Sequence, residues 1–250
     1  MPFDMEMEEY EVYLRIKEAA MNVLITGVSS GLGKALKEEY LDLGHNVYGI
    51  SRGKVDNCNH SELDLSYIPN VNQKLPDLLE GVKELDVVIL NAGMLGNIKT
   101  FDKWKHGELL EMMNVNVWSN KYILDWLFEN DIKVKQVITI SSGASEHTYK
   151  GWGGYSITKS ALRMMTEVYS KEVEDTHFLS LAPGLVDTSM QEYLCNDVDV
   201  DEFPLTEKFI KSREDGTTKS PEEVSKKIID LMTKFKKLET GSFVDLRSVE

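Results

Sequence analysis

Six short apolar runs, each five residues long, recur along this 250-residue chain. They are Asn22–Thr26, Asn46–Ile50, Asp86–Leu90, Gln136–Ile140, His177–Leu181 and Ser242–Leu246. Each is rich in Val, Ile or Leu rather than alternating with polar residues, the mark of a strand buried on both faces, as in a parallel sheet. Between them lie helical patterns over Leu32–Leu43, Val71–Glu80, Gly107–Asn130, Tyr155–Glu174 and Pro221–Lys237. Ser220, Pro221 and two glutamates make an N-capped helix start. Gly44 ends the first helix. This rhythm predicts an α/β fold: one doubly wound parallel sheet with helices on both faces. A closed barrel would need eight such units.

Two segments break the rhythm. Residues 1–20 carry Val12, Tyr13, Ile16, Ala19 and Ala20 at amphipathic spacing before the first strand. A surface helix, a partner contact and an extension without a role all remain open for them. Residues 188–216 follow a strand's carboxyl end and carry Phe203, Pro204 and Phe209. Ligands bind at that edge of open α/β sheets, so a substrate lid stands beside a plain surface excursion. The remaining chain, 21–250, reads as one domain.

Charge and composition narrow the function. Forty-two acidic against 28 basic residues leave a formal charge of −14. A surface of that sign does not suit nucleic acid. The longest apolar run, Val87–Leu90, is far below the roughly 20 residues of a membrane span. Cys58 and Cys195 make neither a disulfide framework nor a metal quartet, so a reducing cytoplasm and no metal are expected.

The segment from Thr26 to Gly33, Thr-Gly-Val-Ser-Ser-Gly-Leu-Gly, joins the first strand to the first helix. Gly27 permits a tight turn, and Gly31 and Gly33 permit close approach of backbone to ligand and of helix to strand. The helix start aims unpaired N–H groups and a positive dipole end at the same spot, which stabilises a pyrophosphate. Arg52 lies nineteen residues after Gly33, at the end of the second strand. An NAD site places an acid near there for the ribose hydroxyls. Here Ser51 stands in that place and Arg52 follows. Neither repels a 2′-phosphate, and a guanidinium grips one, so NADP(H) is predicted over NAD(H).

Tyr155 and Lys159 stand one helical turn apart and project from one face. A phenol has a reference pKa near 10, and a neighbouring ammonium lowers it, which makes a tuned proton donor. Ser142, thirteen residues upstream and just past a buried strand, offers a hydroxyl for a carbonyl oxygen at the same sheet edge.

In this order the motifs resemble the short-chain dehydrogenase/reductase family, in its compact branch of about 250 residues. They are Thr26–Gly33, Asn91-Ala92-Gly93, Asn116, Ser142, Tyr155 with Lys159, and Pro183-Gly184 with Thr188. The likeness runs from Met21 to about Leu246, with Leu90 in place of a frequent asparagine. It implies a Rossmann sheet of about seven strands. It implies that Tyr155 protonates a substrate carbonyl while the nicotinamide gives hydride, and that Ser142 hydrogen-bonds the same oxygen. Lys159 would bind the nicotinamide ribose and acidify Tyr155, and Asn116 would carry a water linking Lys159 to solvent. It further implies coenzyme contacts from Gly27, Ser29, Ser30, Gly31, Leu32 and Gly33 at the glycine loop. Asn91, Ala92 and Gly93 would line the adenosine side, Asp64 the adenine, and Pro183, Gly184, Val186 and Thr188 the nicotinamide. Asp64 as a turn cap and Asn116 as an internal helix hydrogen-bonder are the structural alternatives.

The expected activity is NADPH-dependent reduction of a small or medium neutral carbonyl, within which a diketone or pterin-type substrate falls. Reduction of 3-oxoacyl groups on an acidic carrier protein ranks below it, because like charge repels. A non-catalytic NADP(H)-binding regulator ranks lower still, since Tyr155 and Lys159 are both present. Met94, Leu95, Tyr149, Trp152, Met190, Tyr193, Phe203 and Phe209 are expected to line an apolar, partly aromatic cavity. Trp118, Trp126, Leu162, Met165 and Tyr169 exceed what one helix face buries, so a homodimer or homotetramer is expected unless all of them face the core.

Overall fold

The computed structural model describes residues 20–249. The amphipathic segment expected over residues 1–20 thus lies, apart from Ala20, outside the described residues. Strands β1 (Asn22–Thr26), β2 (Asn46–Ser51) and β3 (Asn59–Glu62) follow one another, with helix α1 (Gly31–Asp42) between the first two. Then come α2 (Pro69–Leu78), β4 (Glu84–Leu85), β5 (Val87–Leu90), α3 (His106–Met113) and α4 (Ser119–Glu129). The second half holds β6 (Lys133–Val134), β7 (Gln136–Ile140), α5 (Gly153–Glu172) and β8 (His177–Ala182). It ends with α6 (Ser189–Asn196), α7 (Leu205–Glu214), α8 (Pro221–Asp230), α9 (Met232–Phe235) and β9 (Ser242–Asp245).

Seven strands form one parallel sheet in the order β3-β2-β1-β5-β7-β8-β9, and β4 and β6 make a separate short pair. The order reverses between β1 and β5. The loops leaving adjacent strands part there to opposite sides and open a crevice at the carboxyl edge. Both sheet faces are buried. Val23, Ile25, Ile89 and Ile138 pack towards α1 and α8. Leu24, Val88 and Val137 pack towards α2 and α4. Burying every residue of a strand requires apolar residues at both phases of the two-residue repeat, which is why these runs do not alternate.

The six apolar runs all become strands of the main sheet. The seventh, β3, has the sequence Asn-His-Ser-Glu and no apolar run to betray it. It pairs on one side only, as an edge strand, so polar side chains are tolerated there. The helix expected over Gly107–Asn130 is not a single α-helix. A π-helical turn over Asn114–Trp118 separates α3 from α4. The helix expected over Pro221–Lys237 breaks at Leu231, after the predicted start, where Ser220 and Glu223 cap each other reciprocally. No helix among the described residues is long and apolar enough to cross a membrane. No group of three or more His, Cys, Asp or Glu there is placed to hold a metal.

Candidate active site

The crevice at the switch point is a cleft of about 450 Å³. Its floor is made by two strand ends tied together. Thr26 Oγ1, at the end of β1, accepts the N–H groups of Asn91 (3.0 Å) and Ala92 (2.9 Å), which follow β5. Asn91 Nδ2 returns a bond to the Thr26 carbonyl at 2.9 Å. Gly33 packs into this junction. A Cβ there would stand 2.2 Å from the Gly27 carbonyl oxygen and 2.4 Å from Asn91 Nδ2, so only glycine lets α1 sit this close to the strand ends. Gly27, Ser29, Ser30, Gly31 and Leu32 then line the cleft beside the N-terminus of α1. The Ser30 side chain makes no capping bond. An anion fits such a cradle.

At the outer end, Ser51, Arg52 and Asp64 line the cleft with Leu65 and Ser66. Asp64 is the turn cap that the structural alternative describes, and its Oδ1 accepts the Ser66 N–H at 2.9 Å. That bond, helped by the Arg52 charge, holds the carboxyl below its ordinary range. Ser51 is buried and its hydroxyl is spent inside the protein, on the Gly53 carbonyl and His60. Arg52 is exposed.

At the inner end, Ser142, Tyr155 and Lys159 meet. Ser142 caps a short 3₁₀ turn, its oxygen accepting the Ala144 N–H at 3.1 Å, so its own hydrogen stays available to donate. Tyr155 and Lys159 are both buried on α5. The Lys159 Nζ stands 5.6 Å from the Tyr155 ring centre and donates to the Ile140 carbonyl at 2.7 Å. Burial pushes the phenol up to about 12, against the opposing pull of the Ser142 hydroxyl. Burial lowers the Lys159 ammonium to about 8. Desolvation therefore dominates the phenol, no acidification from Lys159 of the expected kind registers beside it, and Tyr155 is a neutral O–H donor at neutral pH.

Asn116 lies behind the cleft wall in the π-helical turn, fully buried. Its Oδ1 accepts the Met94 N–H at 2.8 Å. Its Nδ2 donates to the Met94 carbonyl and to Thr158 Oγ1, both at 2.9 Å. Thr158 in turn donates to the Tyr155 carbonyl at 2.9 Å. Asn116 is thus a strut joining the loop after β5 to the helix that carries the phenol. The widened turn aims it there, and no sequence periodicity announces it. Thr158 and Ser66 were missed in the sequence. The Asp64-x-Ser66 spacing, typical of a side-chain-capped turn, could have flagged the second.

Gly93, Pro183, Gly184, Val186 and Thr188 also line the cleft. An aromatic series leads to the phenol: Tyr149 to Trp152 at 6.1 Å, then Trp152 to Tyr155 at 5.8 Å. Phe209 on α7 stacks on Trp152 at 5.5 Å and 12°. Met94 and Met190 join this wall. Leu95, Tyr193 and Phe203, expected with them, instead support it from behind in a third apolar cluster, because α6 and α7 need their own core.

The family model for short chain dehydrogenase matches residues 21–199. The protein belongs to the short-chain dehydrogenases. It is therefore an NAD(P)(H)-dependent oxidoreductase, and the glycine cradle at the head of α1 suits that coenzyme's pyrophosphate. Benzil reductases forming (S)-benzoin from Bacillus cereus and Bacillus subtilis are 32% and 30% identical to it. Their alignments span 84% and 90% of this chain and 93% and 97% of those proteins. A crystal structure of a short-chain dehydrogenase/reductase from Saccharomyces cerevisiae superposes with a TM-score of 0.81 at 20% identity, over 92% of this chain and 97% of that one.

Proposed function

We propose that this short-chain dehydrogenase reduces a small or medium ketone or aldehyde to an alcohol with NADPH. The observation that carries the reading is the inner end of the cleft. A buried neutral phenol beside a serine hydroxyl faces an aromatic wall. Ser142 donates to the substrate carbonyl oxygen and orients it. Tyr155 Oη delivers a proton to the same oxygen as negative charge develops there. Lys159, protonated at neutral pH, holds positive charge beside the phenolate left behind. Asn116 keeps the phenol's helix and the loop after β5 in register. The bound coenzyme supplies the hydride.

Arg52 at the open outer end, with no acid at position 51, supports NADP(H) over NAD(H). The segment 188–216, whose α6 and α7 bring Met190 and Phe209 over the cleft, serves as the substrate lid. The relatives named benzil reductases support an aryl diketone as the first substrate to try. A panel of carbonyls including benzil, run with NADPH and NADH side by side, tests the reading. NADPH oxidation that depends on a ketone is expected; no turnover with any carbonyl would refute it.

A homo-oligomer and a cytoplasmic setting complete the proposal. Of the large groups read from sequence, Leu162 is buried, and Trp126 and Tyr169 pack on the core. Trp118 is exposed with Leu110, Tyr122, Ile157, Met164 and Val168. The last three fall at helical spacing on α5, which supports an apolar contact face of that helix with another copy. Reduction of carrier-bound 3-oxoacyl groups stays a second reading, to be tested in the same panel.

A further inference from the structure

The polar edge strand β3 puts a histidine beneath the outer end of the cleft. His60 Nε2 lies 2.8 Å from Ser51 Oγ, and Ser51 Oγ lies 2.8 Å from the Gly53 carbonyl. A serine hydroxyl has one hydrogen, and a carbonyl only accepts. The hydrogen therefore goes to Gly53, and His60 must donate its Nε2–H to Ser51. The Ser51 carbonyl accepts the Leu63 N–H at 2.9 Å. His60, Ser51 and Gly53 thus clamp the turn that bears Arg52. The tautomer this requires leaves Nδ1 as the basic nitrogen. A proton added at Nδ1 brings a positive charge to the clamp without breaking any of its bonds.

We infer that His60 is a positioning residue for the coenzyme's 2′-phosphate and that its protonation strengthens discrimination for the phosphorylated coenzyme. The inference rests on the NADP(H) reading above. The charges around the imidazole are few. The Lys37 ammonium on α1 opposes its protonation, while Glu62 on its own strand and Asp56 in the β2–β3 loop favour it. The Cys58 thiol, also beside Lys37, is pushed up by burial and stays neutral. Partial burial outweighs the carboxylates and moves the imidazole below its ordinary 6.5. The added charge accordingly enters on the acid side of neutrality.

The test uses the full chain and measures dissociation constants of NADP⁺ and NAD⁺ by calorimetry, from about pH 8 down to about 5, the range over which histidines change charge. His60→Gln keeps an N–H donor for Ser51 and cannot acquire charge. At the alkaline end, wild type and variant should show the same NADP⁺ preference. Towards the acid end, the wild-type preference should rise above the variant's, approaching about threefold as the imidazole fills with protons, since a half-unit pKa shift has that ratio as its limit. The 2′-phosphate's own titration is common to both proteins and cancels in the comparison. Parallel profiles with NADP⁺ still preferred overturn the role of His60 and leave the NADP(H) reading intact. A preference for NAD⁺ throughout overturns that reading, and this inference with it. Should the variant fold poorly, the wild type alone decides. Binding and protonation are reciprocal, so NADP⁺ should raise the His60 pKa seen by NMR by about half a unit, whereas NAD⁺ leaves it in place. An unmoved resonance overturns the inference.

Discussion

The two ends of the cleft are built from opposite materials. At the inner end Tyr155 and Lys159 are buried, and desolvation moves both pKa values away from their ordinary positions. At the outer end Arg52 is exposed, and Asp64 and Ser51 have settled their hydrogen bonds with neighbouring backbone. Burial costs a charged group solvation, so the inner end favours neutral donors that react. Exposure screens charge, so the outer end can only recognise, through a guanidinium whose contribution depends on what it meets.

Five measurements would break or sharpen this contrast. The largest effect belongs to the phenol: Tyr155→Phe should lower carbonyl reduction by about 10³-fold, within the range of general acid catalysis. NADPH affinity should stay within twofold, and retained turnover would take the proton donor away from the inner end. Next is the strut. Asn116→Ala leaves the Met94 amide and carbonyl without partners, and urea unfolding should register a loss of about 2–3 kcal/mol. At the outer end, Ser51→Asp with Arg52→Ala should weaken NADPH binding by roughly tenfold to a hundredfold and spare or improve NADH binding. An unchanged coenzyme preference would remove recognition from that end.

The fourth concerns pH. Lys159 carries its charge below about 8 and loses it as pH rises through that value. Reduction rates should hold level across neutrality and then fall, by up to about tenfold per pH unit above 8. A profile without that alkaline limb would deny Lys159 its electrostatic part. The smallest effect is expected from Arg52→Ala alone on folding, within about 0.5 kcal/mol by denaturant titration, because an exposed side chain contributes little to stability. A larger loss would show that the outer end is held together by the residue assigned to binding.

Much of this was legible before any coordinates. The doubly buried apolar runs declared six of the seven main strands, and the glycine loop, Ser142, Tyr155 and Lys159 declared their common edge. These signals are local: a run, a turn or a one-turn spacing is written in adjacent letters. Strand β3 escaped because edge pairing demands no apolar residue. The π-helical turn escaped because Asn114 to Trp118 read as ordinary helix formers.

The sequence by itself determined the architecture, the family and the side chains proposed here to react, since periodicity and motif spacing follow from backbone geometry. Only the tertiary structure decided their chemical state. Burial raises the phenol above its ordinary pKa, Asn116 finds Met94 and Thr158 22 and 42 residues away, and the Ser51 oxygen accepts from a histidine of the neighbouring strand. Solvation and distant hydrogen bonds are properties of the packed chain, and no window of neighbouring residues contains them.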